Sequence, residues 1–249
     1  AHRGAAREDA VALHRAGPWL IAAVADGAGS KPFSRIGAAL ACRAAVAALA
    51  ERAGTGHAEA RLRRALSDAL DAADRTLRAC ADERGIAPSD LRTTLLLAVV
   101  ADAPGGAWLG AAQIGDGTIA AEGRGGDVRP VTPGDGGDFA GEVAHFVPDP
   151  GAVEHGRARI VVEPLAGTRA VLLCSDGVDD CFYPITSLGP TLLAQLRAGV
   201  TEGAPGMSQR PGGPVLSADG PSAALAEWLT FEMRGENDDR TLVVLCGTP

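Results

Sequence analysis

Residues 19–25, Trp-Leu-Ile-Ala-Ala-Val-Ala, form an unbroken apolar run that stops at Asp26-Gly27-Ala28-Gly29. Such a run reads as a buried strand. A helix-like stretch begins a few residues later. Any fold open to this chain must bury the strand and still release its acidic end. A carboxylate at the lip of a buried strand, next to glycines that let backbone approach a ligand, suits a cation. The same pattern also describes an ordinary turn, so the rest of the chain has to decide.

The pattern recurs along the chain. Residues 11–14 read as a short strand, preceded by Glu8-Asp9 and followed by the turn signal Ala16-Gly17-Pro18. A hairpin with 19–25 puts Glu8-Asp9 and Asp26 at one end. Residues 34–53 are almost wholly apolar and read as a buried helix. Residues 57–84 repeat Leu62, Leu66, Ala69, Leu70, Ala73 and Leu77 at helical spacing, with Arg61, Arg63 and Arg64 on a solvated face. Strands are expected at 93–100, 107–114, 118–121, 159–162, 169–174 and 241–245. Helices are expected at 184–198 and 222–234. Acids mark the junctions again at Gly115-Asp116-Gly117, at Ser175-Asp176-Gly177 and at Asp238-Asp239.

With 249 residues and 46% apolar content, one domain spanning 1–249 is expected, with flexible loops near 123–157 and 199–222. A net charge of -8 and no basic stretch exclude a non-specific nucleic-acid binder. Five scattered cysteines without a CxxC pair argue against a zinc site or disulfide framework and fit a reducing cytoplasm. Cys174 and Cys246 lie in apolar runs and read as buried thiols. No run is long enough to span a membrane, and no signal peptide is visible. The first residue is not Met.

Five acid-bearing junctions beside apolar strands imply convergence. Clustered carboxylates repel, and each pKa rises unless a cation neutralises them. An all-oxygen set without His or Cys points to Mg²⁺ or Mn²⁺. Two such ions can activate a water against phosphorus, so metal-assisted hydrolysis of a phosphate ester is the chemistry indicated.

The ordered motifs Arg7-Glu8-Asp9, Ala25-Asp26-Gly27-Ala28-Gly29, Arg92-Thr93-Thr94-Leu95, Ile114-Gly115-Asp116-Gly117, Cys174-Ser175-Asp176-Gly177 and Asn237-Asp238-Asp239-Arg240-Thr241-Leu242 resemble the type 2C metal-dependent Ser/Thr protein phosphatases, most of all their compact bacterial branch. The resemblance spans nearly the whole chain. It implies an α+β fold with a central antiparallel β-sandwich between two helical layers, α-β-β-α. It implies two or three Mg²⁺ or Mn²⁺ ions, with Asp26 bridging two of them and the Gly27 carbonyl on the second. Asp176 and Asp238 complete the first ion, while Glu8, supported by Asp9, reaches the second. Asp116 and Asp176 match a weaker third site. The implied nucleophile is the metal-bridging water, with no phosphoenzyme. The implied partner is a phosphorylated protein, acted on in opposition to a Ser/Thr kinase, and a monomer is expected.

Three positions depart from the family pattern. Gly4 stands where an Arg usually grips the substrate phosphate, which leaves Arg3 and Arg7 as candidates. Gly117-Thr118 replaces the usual Ser-Arg after Asp116. Asp239 occupies the usual Asn slot after Asp238, the ligand being assigned by counting back from Thr241. His2 or a metal-bound water is the candidate proton donor to the leaving oxygen. Ser175 reads as a turn residue that orients the site, and Thr93-Thr94 as residues lining the sandwich. A catalytically silent regulatory module and a small-molecule phosphatase are the alternative readings.

Overall fold

The computed structural model describes residues 7–54, 58–133, 145–198, 215, 221–231, 233 and 238–246. The chain runs β1 (Ala10–Ala16), β2 (Trp19–Ala25), α1 (Ser34–Arg52), α2 (Ala58–Arg84), β3 (Leu95–Ala103), β4 (Gly106–Ile114), β5 (Thr118–Gly123) and β6 (Val128–Pro130). It continues through α3 (Ala152–Ala158), β7 (Val161–Pro164), β8 (Thr168–Cys174), the single turn α4 (Asp176–Asp179), α5 (Ile185–Ala198), α6 (Pro221–Trp228) and β9 (Leu242–Cys246).

Two antiparallel sheets result, ordered β1-β2-β3-β4-β7 and β6-β5-β8-β9. Strands with two covered faces need continuous apolar runs, and β2, β3 from Leu95 to Ala101 and β8 from Ala170 to Cys174 have them. The core accordingly forms three layers. Leu66, Leu70 and Leu77 of α2 and Ala41, Ala45 and Leu49 of α1 pack on Ile21, Leu97 and Val99. Between the sheets lie Val24, Leu96, Ala98, Ile119, Val171, Leu173 and Val243. Beyond the second sheet, Leu192, Leu193 and Leu196 of α5 join Trp228 and Phe231 over Leu172 and Leu242. The expected α-β-β-α sandwich is the fold found.

The hairpin expected at the start of the chain is present in full register, with Ala10 opposite Ala25 and Ala16 opposite Trp19. Helix α1, expected to be a buried helix apolar on most faces, buries one broad stripe that includes Gly37, Ala38, Ala41, Cys42, Ala45, Val46 and Leu49. Arg35, Arg43 and Ala47 face solvent. Alanine is helix-forming and small enough for either environment, so an Ala-rich helix looks more buried in sequence than it is. Helix α6 ends at Trp228 rather than near 234. There the chain turns so that Phe231 is buried against Trp228, ring centroids 5.2 Å apart, with the Arg240 guanidinium 4.2 Å above Phe231. Cys246, expected to be buried, is exposed as the last residue of edge strand β9.

Of the two stretches expected to be loops, 123–157 contains β6 and the start of α3. Residues 134–144, and nearly all of 199–222, lie outside the described residues. Among the described residues, no helix is long and apolar enough to cross a membrane.

Candidate active site

Sheet register places the acids. Because Ala10 pairs with Ala25, Asp9 and Asp26 leave the ladder side by side. Strand β3 lies next to β2, with Val24 opposite Leu96, so the residues before β3 run along Asp26. The Asp26 amide donates to Thr94 Oγ1 at 2.9 Å. Its carbonyl accepts from the Thr93 hydroxyl at 2.7 Å and from the Thr94 amide at 2.8 Å. Thr93 and Thr94 therefore hold the backbone that carries Asp26. Gly27 follows in an isolated bridge to Thr93. A Cβ there would lie 2.8 Å from the Ser34 carbonyl carbon, a contact that only glycine avoids. The first turn of α1 can thus sit directly on the acid-bearing loop.

The second sheet delivers its acids to the same end. Cys174, the last residue of β8, pairs with both Thr118 and Leu242. Residues 115–117, 175–176 and 238–241 consequently meet. Ser175 is the buried joint between the sheets: its hydroxyl donates to Asp9 Oδ2 at 2.9 Å and accepts from the Thr241 amide at 3.1 Å. The orienting role expected of Ser175 is what the geometry shows. Asp176 Oδ1 accepts from the Gly177 amide at 2.7 Å. The Glu8 amide donates to Asp239 Oδ2 at 2.6 Å, and Glu8 Oε1 accepts from Ser34 at 3.3 Å. Asp239 Oδ2 thus does the work of an amide oxygen, an acceptor for backbone, while Asp238 remains exposed beside the cluster. Arg7 Nε donates to the Asp9 carbonyl at 3.0 Å, and Arg3 lies outside the described residues, as do His2 and Gly4.

The electrostatics are strongly unfavourable for carboxylates. Burial pushes Asp26 up to about 10, and the charges of Asp9, Asp176 and Asp238 add to it. Asp176 is raised to about 7, first by burial and then by Asp116 and Asp238. Burial also raises Asp9, against the opposing effects of Thr241, Asp26 and Ser175. Those neighbours help only in part: among the described residues, Asp9 Oδ1 is buried without a hydrogen-bond partner. Among the described residues, Asp9, Asp26 and Asp176 form no ion pair.

These residues fit a hard divalent cation. The donors are all oxygens, several are crowded against like charge, and one buried carboxylate oxygen is unsatisfied. Among the described residues no group of three or more His, Cys, Asp or Glu side chains is arranged to hold a metal ion by itself. Mg²⁺-type ions keep several waters, so solvent completes their sites alongside the protein oxygens.

Sequence reasoning missed Ser34, Thr241 and Gln113 as parts of this end. Each is a polar residue at most 4% exposed, at the border of an apolar stretch, and that burial is the signal that finds them.

The chain matches the model of the protein phosphatase 2C family over residues 1–230, and it belongs to that family. Its fold is similar to an arginine-to-lysine variant of a bacterial serine phosphatase (14% identity, 97% of this chain and 92% of that chain, TM-score 0.63). It is likewise similar to the serine/threonine phosphatase Stp1 from Staphylococcus aureus (14%, 100% and 92%, 0.60). A third similar structure is the Mycobacterium tuberculosis serine/threonine phosphatase PstP/Ppp (20%, 75% and 79%, 0.50). No curated protein sequence matches the chain.

Proposed function

We propose that this protein hydrolyses phosphoserine and phosphothreonine in protein substrates, using Mg²⁺ or Mn²⁺ held at the acidic end of the sandwich. The observation that carries the reading is the convergence of Asp9, Asp26 and Asp176 from both sheets with no ion pair to any of their carboxylates among the described residues. Asp26, Gly27 through its carbonyl, Glu8, Asp176 and Asp238 would hold two ions, with Asp116 and Asp176 available to a third. When bound, such ions polarise phosphoryl oxygens and lower the pKa of water.

The chain's own residues prepare the site. Thr93 and Thr94 fix the Asp26 backbone, and Ser175 ties Asp9 to β9. Ser175 is buried and engaged on both sides of its hydroxyl, which suits a positioning role and leaves it unsuited to attack phosphorus. Arg7, at the rim, is the described candidate for the substrate phosphate. Five cysteines outside any disulfide fit a reducing cytoplasm, where a Ser/Thr kinase would supply the substrate.

The test is turnover by the full chain of phosphoserine and phosphothreonine peptides and of p-nitrophenyl phosphate, in Mn²⁺ and in chelator. Metal-dependent hydrolysis of the peptides is expected. Asp26→Ala and Asp176→Ala should each lose activity by about 10²-fold or more. Full activity in both variants would overturn the reading. Turnover of small esters but not peptides would move the substrate class, and cation binding without turnover would mark a silent module.

A further inference from the structure

Strand β4 belongs to the first sheet and β5 to the second, and only Gly115, Asp116 and Gly117 join them. The chain crosses the sandwich in three residues. Both glycines have positive φ, 87° and 79°. A Cβ at Gly115 would lie 2.7 Å from Thr94 Cγ2, and one at Gly117 would lie 2.6 Å from the Cys174 carbonyl oxygen. So tight a corner turns its carbonyls inward, where they need donors.

One side chain meets them. Gln113, fully buried one residue before the end of β4, directs Nε2 at the carbonyls of Gly115 (3.1 Å), Asp116 (3.4 Å) and Gly117 (2.9 Å). Two N–H groups thus serve the whole corner, with Asp116 the weakest partner. The Thr132 hydroxyl donates to Gln113 Oε1 at 2.5 Å and orients the amide with its nitrogen toward the corner. Gln113 shares the inter-sheet face with Leu109 and Ala111, where an apolar residue would pack well. A polar group at such a position is costly unless fully hydrogen-bonded.

We propose that Gln113, oriented by Thr132, is a positioning residue that sets the affinity of the cation site formed by Asp116 with Asp176. Thr118 pairs with Cys174, so the corner that Gln113 holds brings Asp116 alongside Asp176. This rests on the metal-dependent reading above. Groups that orient metal ligands typically change affinity by about 10–100-fold when removed.

The experiment is Mn²⁺ titration of the full chain by calorimetry and by electron paramagnetic resonance of free Mn²⁺, alongside metal-free thermal unfolding. Gln113→Met, which keeps length and loses the donors, should weaken the weakest class of Mn²⁺ sites by about tenfold or more and leave the tighter class unchanged. Asp116→Asn should do the same, and the double variant should be no weaker than either single one. Thr132→Val should give a smaller loss in the same direction, and it tests the same claim should Gln113→Met fail to fold. A merely structural role would lower the metal-free unfolding temperature while every Mn²⁺ affinity stayed at its wild-type value, and that result would overturn the proposal. Additive losses in the double variant would also overturn it. Wild-type protein that binds no Mn²⁺ would overturn the metal-dependent reading as well.

Discussion

Asp9 and Glu122 are both buried carboxylates in the sandwich, 5% and 1% exposed, and they are treated in opposite ways. Glu122 lies on β5, on a face met by α5, and receives a two-pronged guanidinium: Arg197 Nη1 at 2.8 Å and Nη2 at 2.5 Å, with Arg169 at 3.8 Å. Asp9 lies at the acidic end, where its carboxylate faces a serine, a threonine and further acids and the Arg7 guanidinium reaches only its backbone carbonyl. A buried charge must be paired or lose its charge. Glu122 is paired from within the chain. Among the described residues Asp9, Asp26 and Asp176 have no such partner. That contrast separates an acid neutralised within the fold from acids that are not.

Removing one charge from each place should therefore move stability in opposite directions. Arg197→Ala leaves Glu122 buried with only Arg169 near it. The expected loss is about 3 kcal/mol, the low end for breaking a buried pair, because Arg197 is 37% exposed. Asp26→Asn should instead stabilise the metal-free protein at pH 7 by about 2–3 kcal/mol, since the folded state no longer has to take up a proton there. Equilibrium urea unfolding in chelator measures both. A loss of stability in Asp26→Asn would break the comparison.

A smaller effect concerns pH. Folded-state pKa values of about 10 for Asp26 and about 7 for Asp176 lie above the unfolded value near 3.9. Between these limits the folded metal-free protein binds more protons than the unfolded chain, so its stability falls as pH rises. The fall begins near pH 4 and runs through pH 7 for Asp176, and continues further for Asp26. Saturating Mn²⁺ should flatten this slope, because a bound ion favours the ionised carboxylates. Unfolding temperatures measured from pH 5 to 8, with and without Mn²⁺, provide the check. A slope unchanged by Mn²⁺ would place the acids outside any cation site.

Much of this could be read from residue patterns. The hairpin that sets Asp9 beside Asp26 follows from two apolar runs and a Gly-Pro turn, and its register needed only that the turn be tight. Helices α1 and α2 followed from periodicity and from Gly54 and Gly85. What stayed hidden is long-range. No local pattern says that β4 and β5 belong to different sheets, or that Gln113 spans the corner between them. Nor does sequence spacing reveal that Arg197, on a helix 75 positions away, neutralises Glu122. Alanine obscured the exposed side of α1 because it signals neither environment. The acids of the site were legible because each interrupts an apolar strand. Their supports Ser34, Thr241 and Gln113 were not, because a single small polar residue looks like the edge of a strand or helix.

The smallest expected effect tests which of two adjacent acids belongs to the uncompensated set. Asp239 Oδ2 accepts from the Glu8 amide at 2.6 Å, a contact that an asparagine oxygen can make equally well. Asp239→Asn also removes a charge that raises the Asp9 pKa. Metal-free stability should therefore change by no more than about 0.5 kcal/mol, toward the stable side. Mn²⁺ affinity in calorimetry should stay close to wild type. Asp238→Asn removes a carboxylate whose charge acts on both Asp26 and Asp176, and it should weaken Mn²⁺ binding clearly. The reverse ranking would shift the ligand by one residue and make Asp239 part of the cation site. The Glu8 amide would then be held by a ligand rather than by a support, and the boundary between fold-holding and ion-holding acids would move with it.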